Sequence, residues 1–142
     1  SFSMQKGLER EAAARSLFEF VTGNEVQQVG FVFKNEIRSV GCSPDGMLES
    51  AGIEIKCPML KTHTKYLIEG KLPTDYFTQV QGSMWVCDFD TWFFMSYYPG
   101  MPHLILEVKR DDAFISKLEV AMVSFIRDLK KIHQELLDKI NP

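Results

Sequence analysis

The sequence predicts an α/β fold in which a mixed central β-sheet is flanked by helices. Three observations lead there. Apolar residues recur at helical spacing near both ends of the chain, over residues 5–21 and over residues 115–140. Between them lie five short runs rich in β-branched and aromatic residues, bounded by glycine, proline, asparagine and aspartate. A further helical segment, residues 73–87, separates the first three runs from the last two. With 142 residues, 45% hydrophobic and 25% charged, the chain is long enough for one domain with a single core.

In the first helix, residues 5–21, Leu8, Ala12, Leu17, Phe18 and Val21 fall near helical spacing, alanines fill the middle, and Thr22-Gly23-Asn24 ends it. Glu11 sits at the border of the apolar face, one turn from Arg15. On these residues alone it reads as a surface acid paired with that arginine. Residues 26–33 and 37–42 read as strands joined by the turn Lys34-Asn35-Glu36. Pro44-Asp45-Gly46 is a tight turn leading to a strand over residues 53–57.

After Pro58 a basic segment runs to Gly70. From Lys56 to Lys71 there are four lysines, a histidine, His63, and only one acid, Glu69. It reads either as a solvated loop or as a segment that contacts phosphates. The helix over residues 73–87 is opened by Pro73-Thr74-Asp75. Phe77, Val80, Met84 and Trp85 form its apolar stripe, with Tyr76, Gln79 and Ser83 on a neighbouring polar one. Residues 90–98 and 103–109 form a hairpin across Pro99-Gly100-Met101-Pro102. Asp111-Asp112 caps the last helix. Its stripe of Ile115, Leu118, Met122, Phe125, Ile126, Leu129, Ile132, Leu136 and Ile140 reads as core or subunit packing rather than a cofactor box.

Several classes are disfavoured by composition. No apolar run approaches the roughly 20 residues of a membrane-spanning helix, and SFSMQKGLERE has no signal-peptide core, so a cytoplasmic protein is expected. The net charge of −3 gives no global basic signature for nucleic acid. Cys42, Cys57 and Cys87 are odd in number and lack both a C-x-x-C motif and a histidine at zinc-ligand spacing. They are expected to be reduced, mostly buried thiols.

The chemistry concentrates in residues 41–58, GCSPDGMLESAGIEIKCP. Side chains two apart on a strand point the same way, so Glu54 and Lys56 share one face while Ile53, Ile55 and Cys57 take the other. If the chain folds back to bring Asp45 beside Glu54, two carboxylates and an ammonium converge on a volume suited to one hydrated divalent cation. Asp45 and Glu54 would be ligands and the Ile55 carbonyl a third. Lys56 would hold a water or help deprotonate it, and add positive charge for a transition state. The pattern alone leaves other readings open. Pro-Asp-Gly is a common turn, and alternating Glu54 and Lys56 suit the solvent face of an edge strand.

Four separated blocks narrow the choice: GLEREAAARSLFEF at residues 7–20, GCSPDG at 41–46, EIKCP at 54–58 and YFTQVQGSMWV at 76–86. In that order they resemble the phage lambda exonuclease family, also called the YqaJ-type viral recombinase family, within the PD-(D/E)xK nuclease superfamily. The resemblance implies a restriction-endonuclease-like core. It implies metal-binding roles for Asp45 and Glu54, with the Ile55 carbonyl, and a catalytic role for Lys56. Glu11, in a G-x-x-x-E-x-x-A pattern, matches a glutamate that completes the acidic site at a second metal. Gln79 matches a glutamine facing the scissile end. Tyr76 and Ser43 match positions near the DNA and its terminal phosphate, and Lys61 and Lys65 are the basic residues expected to contact DNA.

The implied activity is a magnesium-dependent 5′-to-3′ exonuclease on linear double-stranded DNA, with manganese as a substitute, acting in phage-type recombination and releasing 5′-mononucleotides. The alternatives are an endonuclease of the same superfamily and a non-catalytic DNA-binding or assembly module. The implied partners are duplex DNA ends, a single-strand annealing protein and two further copies in a homo-trimer, with no membrane and a bacterial host cell as the setting. The family carries a region ahead of this first helix. A single nuclease domain over residues 1–142, with that extension largely absent, is therefore expected.

Overall fold

A computed structural model describes residues 1–34 and 37–142. The expected turn at Asn35 and Glu36 lies outside the described residues. Contacts cluster into two compact units, Ser1–Arg110 and Asp111–Pro142.

The first unit opens with helix α1, Phe2–Thr22, longer at its start than the apolar spacing predicts. Ser1 caps it, its hydroxyl accepting from the Met4 N–H at 3.3 Å. Gly23 ends it in the left-handed region at φ 71°, donating to the Glu19 carbonyl. Ala14 and Phe18 are fully buried, whereas Leu8 and Val21, expected on the same apolar face, are exposed.

Strands β1, Val32–Lys34, and β2, Ile37–Cys42, form an antiparallel pair of their own. The strand expected over residues 26–33 shrinks to its last residues, and the backbone explains why. Gln27 and Met47 exchange two N–H···O bonds of 2.8 Å, so the start of the segment pairs with the other sheet and cannot stay in register with β2.

The main sheet has four strands in the order β3-β4-β5-β6: Gly46–Met47, Ala51–Lys56, Thr91–Ser96 and Leu104–Lys109. Strands β4 and β5 run parallel, with Ala51 opposite Thr91 and Lys56 opposite Ser96. The other two pairings are antiparallel, so the sheet is mixed as expected. Helix α2, Leu60–Glu69, occupies the stretch read as a basic loop. It lacks a side-chain cap, and Thr62 and Thr64 are poor helix formers, which hid it. Burial of His63 and Tyr66, three apart on one face, holds it instead. A 3-10 turn, Thr74–Tyr76, leads into α3, Phe77–Cys87, and the two together fill the expected helical segment.

Both faces of β4 are covered. Ile53 and Ile55 pack with Ala14 and Phe18 of α1 and with Met95, and Cys57 borders this cluster. On the opposite side Val80 and Met84 of α3 pack with Trp92. Gly52 lies directly under the Trp92 indole, whose ring atoms fill the space a Cβ would need. Among the described residues no helix is long and apolar enough to cross a membrane.

The second unit is helix α4, Asp112–Ile140, capped as expected by Asp111, whose carboxylate accepts from the Phe114 N–H at 2.9 Å. Phe125, Leu129, Ile132, Leu136 and Ile140 are exposed, so at these positions the stripe does not form a core.

Gly52→Ala is expected to destabilise the protein by about 2 kcal/mol, because its methyl must displace a buried indole. Chemical denaturation checks this, and a Trp92→Phe background should shrink the penalty.

Candidate active site

The site grows from the two ends of one turn. At Asp45 the chain reverses, and its N–H donates to the Ile53 carbonyl at 3.2 Å. Its side chain returns the contact, with Oδ2 accepting from the Ile55 N–H at 2.8 Å. Asp45 is thus bonded to the main chain on both sides of Glu54. The turn expected to bring the two acids together does so through these two bonds.

Glu54 is only 5% exposed, which rules out the solvent face of an edge strand. Its Oε1 receives two donors: Lys56 Nζ at 2.7 Å and Gln79 Nε2 at 3.1 Å. Burial, reinforced by the charge of Asp45, pushes the Glu54 carboxyl above the usual range and outweighs the opposing pull of Lys56 and Gln79. Desolvation draws the Lys56 ammonium down, but its bond to Glu54 and the negative charge around it prevail and raise it. The asymmetry is physical. The carboxylate is the more deeply buried partner and loses more hydration, while the ammonium keeps access to solvent and gains the attraction. Lys56 is therefore a fixed positive charge at neutral pH. Its Nζ also lies over the Tyr76 ring, 4.7 Å from the centroid, and Tyr76 in turn stacks on Phe94 at 5.4 Å.

Glu11 lies on α1, where its Oε1 pairs with Arg15 Nη2 at 2.9 Å, as its spacing predicts. Arg15 goes further. Its Nε and Nη2 also donate to the Asp45 carbonyl at 3.4 and 3.3 Å. One guanidinium thus straps α1 to the turn that carries Asp45. Sequence reasoning treated Arg15 only as a partner for Glu11. The one available signal was its place one turn after Glu11, which gives no hint of the second bond. Glu11, Arg15, Ser43 and Asp45 line an open cleft of 310 Å³, together with Leu8 and Val29. Glu54, Lys56, Gln79 and Tyr76 do not line this cleft and connect to it through Asp45.

Of the basic residues, Lys61 and Lys65 are exposed on α2, and Lys65 is only loosely paired with Glu69 at 3.9 Å. His63 does not join them. It is fully buried, with Nδ1 2.8 Å from Ser96 Oγ and Nε2 2.7 Å from the Pro102 carbonyl. A carbonyl only accepts, so Nε2 carries a proton and donates it to Pro102. This histidine ties α2 to the end of β5 rather than reaching phosphate.

Among the described residues no three carboxylate, imidazole or thiol side chains gather closely enough to hold an ion by themselves. The two carboxylates of Asp45 and Glu54 remain, with the carbonyl of Ile55, which lies between Glu54 and Lys56 in sequence. Such a mixed oxygen set suits a hard cation that fills its other positions with water and phosphate oxygens.

Comparisons with known proteins identify the family and agree with the fold. Residues 1–90 match the YqaJ-like viral recombinase domain. The structure superposes on the crystal structure of an alkaline exonuclease from Laribacter hongkongensis with a TM-score of 0.88, at 33% identity, over 96% of this chain and 73% of that one. The same exonuclease in complex with dAMP gives a TM-score of 0.88 at 32% identity, over 98% and 74% of the two chains. No curated protein sequence matches.

Two substitutions should move stability in opposite directions. A carboxyl raised in the folded state destabilises the protein once it ionises, so stability falls as pH rises through its folded pKa. Glu54→Gln, measured in chelator, should therefore gain about 1 kcal/mol at neutral pH, and the gain should vanish as pH drops through the carboxyl range. Arg15→Ala should lose about 2 kcal/mol, because it unstraps Asp45 and leaves Glu11 without its partner. Thermal melts over a pH series check both.

Proposed function

The chain belongs to the YqaJ-like viral recombinase family, and on that premise we propose that it is a nuclease: a metal-dependent 5′-to-3′ exonuclease on linear double-stranded DNA that serves phage-type recombination. The observation that carries the reading is the meeting of Lys56 and Gln79 on one oxygen of a buried Glu54, with Asp45 bonded to the adjacent main chain. Similarity to an alkaline exonuclease whose structure includes a complex with dAMP supports a nucleotide product.

The donor set fits magnesium, with manganese as a substitute. The raised Glu54 carboxyl reflects two acids sharing a poorly solvated place, a cost that a cation offsets. Asp45, Glu54 and the Ile55 carbonyl would hold it, and Glu11 would serve a second ion on leaving Arg15. A divalent cation bound there supplies Lewis-acid stabilisation of the charge that develops on the phosphodiester.

The chain's own residues do the rest. Lys56, held as an ammonium, donates a hydrogen bond to the attacking water and adds positive charge beside the phosphate. In that protonation state it orients the water for attack. Gln79 on α3 fixes Glu54 and, one turn after Tyr76 of the preceding 3-10 turn, faces the DNA end. Attack breaks the P–O3′ bond: the scissile phosphate stays on the new 5′ end of the shortened strand, and the departing nucleotide leaves with a 3′-hydroxyl and the 5′-phosphate it already carried. Ser43 at the cleft, Tyr76, and exposed Lys61 and Lys65 are the proposed DNA contacts. The partners are duplex DNA ends and a single-strand annealing protein. A homo-trimer is proposed too, for which the exposed apolar positions of α4 offer a surface.

Digestion of end-labelled linear duplex, beside covalently closed duplex, tests the reading. Linear DNA should shorten from its 5′ ends with magnesium, stop with chelator, and resume on re-addition. Lys56→Ala should lower kcat about 10²- to 10³-fold. Equal cutting of closed circles would transfer the assignment to an endonuclease. DNA binding without any cutting would leave a non-catalytic module.

A further inference from the structure

The three cysteines are not equivalent. Cys42 closes β2 and Cys87 closes α3, 45 residues apart in sequence. Yet their sulfurs lie 3.8 Å apart, in hydrogen-bond contact. Both side chains are half-buried, so a small oxidant can reach them. Each is the last residue of its element, where the backbone has room to yield. The sulfurs need to close by only about 2 Å to reach bonding distance. Cys57, by contrast, borders the separate core cluster beneath α1.

We propose that Cys42 and Cys87 are a thiol-modification site that forms an intrachain disulfide on exposure to a peroxide, cross-linking β2 to α3. In the first step the Cys42 thiolate attacks one peroxide oxygen and the O–O bond breaks. Hydroxide leaves and takes up a proton as water, and Cys42 becomes a sulfenic acid. The Cys87 sulfur then attacks the Cys42 sulfur, the S–O bond breaks and a second water leaves. The peroxide is reduced to two waters, and the two thiols are oxidised to one disulfide.

The local chemistry sets the order of attack. Hydrogen bonding from Cys87, then from Ser83, lowers the Cys42 thiol against the opposing effect of burial. Cys87 moves upward, chiefly as the other partner of that bond, which suits it to the resolving role. The bond would tie the strand that leads into Ser43 and Asp45 to the helix that carries Gln79. Its formation does not depend on the nuclease reading, since it is detected without substrate.

The test treats the full chain with hydrogen peroxide, alkylates the remaining thiols and maps peptides under non-reducing conditions. Wild type and Cys57→Ser should each lose the mass of two hydrogens, give a Cys42–Cys87 linked peptide, and recover both thiols with dithiothreitol. Cys42→Ser and Cys87→Ser should give no linked peptide. Should either serine variant fail to fold, the wild-type and Cys57→Ser maps decide alone. Separate oxidation of Cys42 and Cys87 without a cross-link overturns the proposal, as does a linked peptide containing Cys57 or linkage only between chains.

Discussion

One strand carries two opposed chemistries, and the rest of the first unit is arranged around it. Period-two alternation gives β4 a face of Ile53 and Ile55 and a face of Gly52, Glu54 and Lys56. A strand at the sheet edge could leave the second face in water. Here β4 lies between β3 and β5, and α3 closes over that face. The carboxylate must then be buried, and it stays ionisable only with partners on every side. Lys56 comes from the same strand, Gln79 from α3, and Asp45 is bonded to the main chain on both sides.

Magnitudes separate this ion pair from the others. Lys65–Glu69 and Lys109–Glu107 are solvent-exposed pairs, of the kind that contribute about 0–1 kcal/mol. The Lys56–Glu54 pair is buried on its acidic side, where loss of the lysine would strand a buried carboxylate at a cost of about 3–5 kcal/mol, yet the pair itself gives little net stability. A group kept at such poor return is the kind found at functional sites. Arg15 belongs to the same economy of placement. It spends its guanidinium on a carbonyl and a carboxylate, which holds the turn against α1 whether or not Glu11 is engaged elsewhere.

What could be read from the sequence follows the range of each interaction. The shared face of Glu54 and Lys56 was legible because two positions along a strand fix it without help from elsewhere. The return of Asp45 was legible because Pro-Asp-Gly makes the turn within a few residues. The parallel pairing of β4 with β5 was not, since it joins residues some 40 apart and both strands look alike in either direction. Helix α2 escaped because tertiary burial of His63 and Tyr66 holds it against weak propensity. The Cys42–Cys87 approach left no mark at all in local spacing. Leu8 erred the other way: an apolar residue at helical spacing that the fold leaves facing the cleft.

The direction of β4 explains where the chemistry sits along it. In a parallel pair the carboxyl ends of both strands open to the same side, and α/β sheets place ligands there. The sequence of β4 follows that gradient. Gly52, at the closed end, is roofed by the buried Trp92 indole; Glu54, in the middle, is buried but bonded to Gln79; Lys56, at the open end, is half-buried under Tyr76. Beyond it the Tyr97 N–H bonds to the Lys56 carbonyl, and Ser96 is pinned by His63, so α2 and β5 brace the same end. Reversing β5 would carry Ser96 and its bond to His63 to the closed end and leave Lys56 without that support. The parallel pairing of β4 with β5, which the local sequence could not reveal, therefore sets an acid and an ammonium, adjacent on one face, towards the open end of the sheet.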